Sequence, residues 1–310
     1  MSRIMINSRA LLTSALLTVA GTAHPLDIQF DYTYDSGGFF SDSSRRSVLE
    51  AAGGYFESRI TDNLLAIGPS GNSSFSGTIF DPGTGGNIIT NVQNVAADTI
   101  VVFAGARNLG STALAEGGPG NFSIVNGNIN DYASSIYNRG QGETRGSLAV
   151  DFAPWGGSIA FDTSSTWYFD SDLSTDDDIS GNDFFSVALH ELGHMLGYGT
   201  ADSWDNKVSG GLFNGVNSVA ANGGSSVPLS GDAHWQNQLM SPIEGAGSFE
   251  VAMDPSIATG TRKVFTDLDF AGLKDIGWEL AAVPLPAAIY LFGAGILGLM
   301  GFSRRKSSRS

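Results

Sequence analysis

The chain of 310 residues contains no cysteine and only four histidines. Without cysteine there are no disulfides, no thiol nucleophiles and no thiolate metal ligands, so any metal must be held by nitrogen and oxygen atoms. Basic side chains are also scarce, since 16 lysines and arginines stand against 31 acidic residues and the net charge is −15. An excess of negative charge of this size argues against nucleic acid as a partner.

The most informative segment that is present contains two histidines four positions apart, His190 and His194, with Glu191 beside the first. On a helix, the two imidazoles leave the same face and can share one zinc ion. Glu191 can act as general base toward water activated by the metal, as in a zinc peptidase. Zinc hydrolases use three protein ligands and one open position, which makes His234 the candidate third ligand. The alternative is that His234 lies in a surface loop and a carboxylate completes the site.

This segment resembles the metzincin metallopeptidases, and among them the matrixins, whose pattern is HExxHxxGxxH followed by a Met-turn. The two histidines, the glutamate and Gly197 match the pattern, but Thr200, a poor zinc ligand, stands where the third histidine belongs. Leishmanolysin-like metzincins carry an insertion at this point, and the Gly/Asn/Ser-rich residues 210–231 are similar to such an insertion. The resemblance therefore implies that His234, after this stretch, is the third zinc ligand.

Two methionines are candidates for the Met-turn. Met253 is favoured, because the segment from Thr266 to Trp278 that follows it is similar to the matrixin C-terminal segment. Met240, six residues after His234, is the alternative. A methionine beneath the metal would act through packing, since its flexible thioether fills irregular gaps.

The segment ahead of the motif resembles its matrixin counterpart but lacks two of its ion ligands. Ala160 replaces a histidine that binds structural zinc, and Ser165 replaces a glutamate that binds calcium, so we expect one catalytic zinc and no structural zinc. Further on, an acidic run is open to two interpretations, a calcium site or a solvated loop; its members are Asp170, Asp172, Asp176, Asp177, Asp178 and Asp183.

The resemblance covers residues 97–278 and implies an α+β fold, with a twisted mixed sheet, two helices above the cleft and a smaller loop-rich C-terminal subdomain. Hydrophobic periodicity predicts strands at 26–34, 100–103, 148–152 and 158–161, and helices at 44–60 and from Thr266. Asn182 or Asp183 is predicted to cap the active-site helix. Clustered glycines predict long irregular loops at 68–87, 105–146 and 210–247.

The N-terminal residues 1–23 have the features of a signal peptide. Arg3 and Arg9 precede an apolar run at 10–20, and small residues precede His24. We therefore expect an exported protein whose single catalytic domain covers residues 24–279.

The C-terminal residues 280–310 have the features of a sorting signal. Residues 280–302 form a stretch without charged side chains that is long enough for a membrane span. The basic residues 304–306 that follow predict that the tail lies in the cytoplasm. Together with the sequence VPLPAA at 283–288, this tail resembles a PEP-CTERM signal. The resemblance implies an exosortase-like processing enzyme in a Gram-negative bacterium, membrane contact before processing, and a cell-surface or secreted product. A permanent membrane anchor is the alternative.

Three functional hypotheses remain open from the sequence. The first is an exported zinc metalloendopeptidase that hydrolyses protein or peptide substrates, with Glu191 as general base. The second is a non-catalytic surface or biofilm-matrix protein that retains a metzincin scaffold. The third keeps the peptidase but assigns the third ligand to a carboxylate, Glu244 or Glu250, as in the gluzincin arrangement.

Overall fold

The computed structural model describes residues 26–110, 113–125, 129–170, 172 and 179–281. The predicted signal peptide and residues 282–310 of the predicted sorting signal therefore lie outside the described residues, as do Asp176–Asp178 of the acidic run. Within the described ranges, no helix is both long and apolar enough to cross a membrane.

The regular elements are distributed along the whole described chain. The strands are β1 (Asp27–Asp31), β2 (Ser74–Phe80), β3 (Asn87–Ile89), β4 (Thr99–Arg107), β5 (Ala115–Pro119), β6 (Asn121–Val125), β7 (Gly156–Asp162), β8 (Trp167–Tyr168), β9 (Asn182–Asp183), β10 (Val208–Ser209), β11 (Leu212–Phe213), β12 (Val227–Ser230), β13 (His234–Trp235), β14 (Met240–Ile243) and β15 (Ala246–Glu250). The helices are α1 (Ser43–Glu57), α2 (Ile129–Asn138), α3 (Phe184–Met195), α4 (Asp202–Asp205), α5 (Val216–Ala221) and α6 (Asp267–Ile276).

The central sheet has the strand order β1-β4-β7-β5. Strands β1, β4 and β7 run parallel, and β5 is an antiparallel edge strand paired with β7. Every residue of β7 is buried, as expected for a strand covered on both faces. Helices α1 and α3 contact each other and this sheet, and they bury the larger hydrophobic core between them. The predicted α+β class, with a mixed sheet and few helices, is confirmed.

A second, smaller sheet has the order β3-β2-β6 and packs near β7. Its core is a separate cluster that includes Phe75, Ile79, Trp155 and Ile136. The prediction of irregular loops at 68–87 and 105–146 is therefore wrong. Strand β2 alternates buried and half-buried residues, which is the period of two expected of a strand. The prediction of a loop relied on the glycine content of the region and did not use this alternation.

The other predicted elements have mixed outcomes. The strands near 26–34, 100–103 and 158–161 and the helices near 44–60 and after Thr266 are confirmed, with shifts of a few residues. The strand predicted at 148–152 is wrong, because Leu148 ends a short 3-10 turn and its side chain, like that of Val150, is exposed. The glycine-rich region 210–247 is not irregular either, since it forms β11 to β14 and α5.

Candidate metal centre

Helix α3 carries the paired histidines and is fixed firmly at its N-terminus. Asp183 is the N-cap residue, and its carboxylate accepts the backbone N–H of Ser186 at 3.1 Å. Arg262 donates to both oxygens of this carboxylate, from Nε at 3.1 Å and Nη2 at 3.0 Å. The helix ends at Met195, and Gly197 follows with a φ of 109°, a value that favours glycine and turns the chain away.

Three imidazoles converge on one point. The Nε2 atom of His194 lies 3.1 Å from that of His190 and 3.1 Å from that of His234, and the third separation is 3.2 Å. Two nitrogens bound to a tetrahedral zinc at about 2.0 Å lie about 3.3 Å apart, so the triangle fits this ion. Among the described residues, these three are the group of side chains that could hold a metal.

The Nδ1 atoms of two of the rings are hydrogen-bonded to backbone carbonyls. The Nδ1–H of His190 donates to the carbonyl of Ala252, and that of His194 to the carbonyl of Tyr198, each at 2.8 Å. These bonds orient the rings and leave the Nε2 lone pairs free for a metal. Burial lowers the pKa of His194 to about 4 and that of His190 well below its usual value, which keeps both rings in the neutral form that binds metal.

His234 reaches the same point from the small antiparallel sheet β10-β11-β12-β13. Burial also lowers its pKa. Ser230 pairs with His234 in the ladder, so the residues that form β12 set the position of the ring. Thr200, at the position where the matrixin pattern has its histidine, instead donates its hydroxyl to the carbonyl of His194 at 2.8 Å.

Glu191 follows His190 on α3 and lies against the edge strand β5, and it is 7% exposed. A Cβ atom at Gly117 of β5 would lie 3.1 Å from its Oε2 atom, so the glycine permits the strand to approach the carboxyl group closely. Burial raises the pKa of Glu191 to about 8, and the charge of Glu116 adds to the shift. A cation at the three imidazoles would favour the ionised carboxylate.

The two Met-turn candidates occupy different environments. Met253 is fully buried, and a side chain at Gly193 of α3 would overlap its sulfur, so the methionine packs directly on the helix that carries the histidines. Met240 is 51% exposed in β14.

Neither glutamate considered as an alternative third ligand belongs to the histidine group. Glu250 pairs with Lys263 at 3.2 Å, and Glu244 lines a different cavity.

The three imidazoles and Glu191 open into a cleft of about 750 Å³. The lining also includes residues 113–117, which contain the start of β5, together with Ala252 and residues 254–257. Sequence reasoning missed β5, the Arg262–Asp183 pair and Lys263 in this cleft. Lys263 lies between Arg262 and the apolar pair Val264-Phe265, and this local pattern reveals neither its burial nor its partners.

Comparisons with known proteins agree with this geometry over part of the chain. The model of the matrixin family, Peptidase_M10, matches residues 131–205, which include α3 but end before His234. The chain is 44% identical over 54 residues to Metalloendoproteinase 1-MMP of Arabidopsis thaliana, covering 17% of this chain and 15% of that protein. It is 52% identical over 42 residues to Matrix metalloproteinase-2 of Drosophila melanogaster, covering 14% of this chain and 5% of that protein.

These similarities are local, since the matched segments span less than a sixth of the length of either curated relative. No solved structure matches the chain significantly. The matrixin match and the two relatives thus show similarity to metalloproteases over part of the chain, and the histidine triad is a group of side chains that could hold a metal ion.

Proposed function

We propose that this protein is a zinc-dependent metalloendopeptidase. The observation that carries the proposal is the convergence of three imidazole Nε2 atoms beside a buried glutamate in an open cleft. A zinc ion held by His190, His194 and His234 would supply a Lewis acid that polarises a peptide carbonyl and activates water.

Glu191 is the residue that would move protons in this reaction. As a carboxylate it takes a proton from the attacking water, whose oxygen forms a bond to the carbonyl carbon of the substrate. The same carboxyl group then gives the proton to the leaving nitrogen as the C–N bond breaks.

The edge strand β5 favours a peptide as the substrate. It pairs with β7 along one side only, so the backbone groups along its other side are not used within the central sheet. Residues 115–117 of this strand line the cleft. An extended peptide can add to such an edge through main-chain hydrogen bonds, which would place a scissile bond beside the imidazoles.

The variant Glu191→Gln tests the mechanism. We expect it to bind one zinc per chain like the unchanged protein, while kcat on a peptide library falls by about 100-fold or more because the general base is lost. Glu244→Gln, which removes a carboxylate outside the cleft, is the matched control and should retain activity. Full activity of Glu191→Gln, or activity that a chelator does not reduce, would contradict the proposal. If the zinc-loaded chain cleaves no member of the library, the non-catalytic surface or matrix role replaces it.

We also propose that the protein is exported and sorted to the cell surface or released. The N-terminal apolar run, the VPLPAA segment, the uncharged span and the basic end support this proposal. Detection of a processed form without residues 282–310 in the envelope or medium of the producing cell tests it.

A further inference from the structure

A buried lysine, Lys263, lines the same cleft as His190. The side chain of Lys263 is 4% exposed, and its ammonium group contacts three oxygens. These are Asp254 Oδ1 at 2.7 Å, the Ser256 carbonyl at 2.6 Å and Glu250 Oε2 at 3.2 Å. An ammonium group has three N–H donors, so this arrangement uses all of them within the protein.

Removal of this lysine would leave its two acidic partners, Asp254 and Glu250, without their cation. The side chain of Asp254 is fully buried, and it also accepts the backbone N–H of Gln238 at 3.1 Å. Glu250 is 29% exposed at the edge of the same cluster. A buried carboxylate that loses its cation keeps its desolvation cost without compensation, so this position favours a positive charge.

Two chain segments next to Lys263, 182–187 and 252–257, contribute to the lining of the cleft. Apart from Asp254 their lining residues are neutral: Asn182, Ser186, Val187, Ala252, Pro255, Ser256 and Ile257. The backbone N–H of Lys263 donates to Ser186 Oγ at 2.7 Å, which fixes the lysine to the first turn of α3. The ammonium group is therefore held in place from both its backbone and its tip.

We propose that Lys263 is a specificity-determining residue of the peptidase proposed above, and that it restricts this part of the cleft to neutral substrate side chains. Its ammonium occupies the place that a lysine or arginine side chain of the substrate would otherwise take between Asp254 and Glu250. An acidic side chain finds no free donor there and meets two carboxylates. Apolar side chains of moderate size fit the remaining walls.

The proposal predicts what happens when the lysine is shortened. Lys263→Ala removes the alkyl chain and the ammonium group, and it leaves a space beside two carboxylates that is continuous with the cleft. Lys263→Ala deletes three carbons and the nitrogen but keeps Cβ, so a shorter ion, ethylammonium, should fill this space and restore the charge with most of the packing. The variant Lys263→Ala/Asp254→Asn lacks the more deeply buried carboxylate and should not bind this ion.

Thermal unfolding in ethylammonium chloride tests this without zinc or substrate. We expect the salt to raise the Tm of Lys263→Ala above its value in equal sodium chloride, as a ligand of the native state does. The unchanged protein and the double variant should show no such rise, and uncharged ethanol at the same concentration should not replace the ion. If Lys263→Ala does not fold alone, its recovery on refolding with ethylammonium but not with ethanol is the equivalent readout. An equal response of the single and double variants would overturn the proposal.

A peptide library with zinc-loaded protein tests the consequence for substrates. The unchanged protein should prefer neutral side chains at one position next to the scissile bond, and Lys263→Ala should gain lysine or arginine there by roughly tenfold or more in kcat/KM relative to leucine. Cleavage by both proteins with an unchanged ratio would overturn the specificity proposal and leave the peptidase function standing. Absence of cleavage by the unchanged protein would overturn the peptidase function, and with it the specificity role; a positive ethylammonium result would then establish a cation position only.

Discussion

His234 reaches the metal site from β13, 40 residues after His194, and yet its Nε2 atom lies 3.1 Å from that of His194. We therefore predict that His234→Ala lowers zinc affinity by more than about 100-fold, since loss of a ligand should exceed the 10–100-fold effect of losing an outer-shell partner. Competition with a chelating dye measures the affinity. Glu244→Gln and Glu250→Gln are the matched controls for the carboxylate alternative, and a large loss of zinc in either one, with little loss in His234→Ala, would reverse the assignment.

The residues of the candidate site differ in how far the sequence predicts them. The placement of His190, Glu191 and His194 follows from spacing, because positions i and i+4 of any helix share a face. His234 was inferred by elimination among four histidines and a resemblance, since no local pattern measures a distance across 40 residues. Lys263 carries no signal of its place in the cleft, because a lysine is normally exposed and its acidic partners lie 9 and 13 positions earlier in the chain.

At the scale of elements, strand β5 depends on a cross-strand ion pair. Arg107, at the end of β4, reaches past β7 to pair with Glu116 of β5, and Ala160, the β7 residue opposite Glu116, is small. The pair is partly exposed, so its loss should reduce global stability by only about 1 kcal/mol or less. Its main effect should be on the position of the strand that lines the cleft.

We predict that Arg107→Ala speeds amide hydrogen exchange in Ala115–Pro119 and raises KM for long peptides more than it lowers kcat. The reason is that peptide addition needs an ordered strand edge. Exchange mass spectrometry and steady-state kinetics measure the two effects. The charge-reversed variant Arg107→Glu/Glu116→Arg should recover part of both, whereas Arg145→Ala, which breaks an exposed pair elsewhere, should change neither. Unchanged exchange in Arg107→Ala would show that the ladder to β7 alone fixes the strand.

The same scale shows where fold prediction from sequence succeeds and fails. Helices α1 and α6 have clear apolar periodicity, and α6 adds a capping box between Thr266 and Asp269, so both could be predicted. Strands β2 and β5 lie in glycine-rich sequence, and their stability comes from pairing with distant strands and not from local propensity. Glycine at 117 is needed for the close approach to Glu191, so the composition that indicated a loop reflects a tertiary contact.

At the scale of the whole molecule, Asp62 connects the segment after α1 to the end of the described chain. Its Oδ2 atom accepts the backbone N–H of Glu279 at 2.8 Å, and its Oδ1 atom is buried without a hydrogen-bond partner. Burial raises the pKa of Asp62 to about 7, and the charges of Asp151 and Glu279 add to the shift. The folded state therefore favours the protonated form.

The raised pKa of Asp62 makes the free energy of unfolding depend on pH. An acid whose pKa is higher in the folded state contributes stability below its unfolded pKa, and this contribution is lost as pH rises through about 7. We predict that Asp62→Asn has nearly the Tm of the unchanged protein at pH 4 and a higher Tm at pH 8, because the amide cannot ionise. Asp232→Asn, at an exposed position, is the control. A difference in Tm between Asp62→Asn and the unchanged protein that does not grow with pH would contradict the shift.

The last pairing of the described chain bears on the C-terminal tail. The backbone N–H of Thr61 donates to the carbonyl of Glu279 at 2.9 Å, and that of Ala281 donates to the carbonyl of Arg59 at 2.7 Å. The folded unit thus continues to Ala281, two residues past the predicted domain end. A truncation meant to leave the fold intact should therefore end after Ala281, because one that ends after Trp278 removes these hydrogen bonds.

We predict that the chain ending after Ala281 retains the zinc stoichiometry and peptidase activity of the full chain, with an equal Tm, whereas the chain ending after Trp278 has a lower Tm. The full chain, with its uncharged span and basic end, should partition with membranes until residues 282–310 are removed. Calorimetry, metal analysis and fractionation of the producing cells measure these properties. A chain ending after Ala281 that fails to fold would show that the tail contributes to the domain. A full chain that stays soluble without cleavage would contradict the sorting-signal interpretation, because a span of that length without charge is stable in a bilayer and not in water.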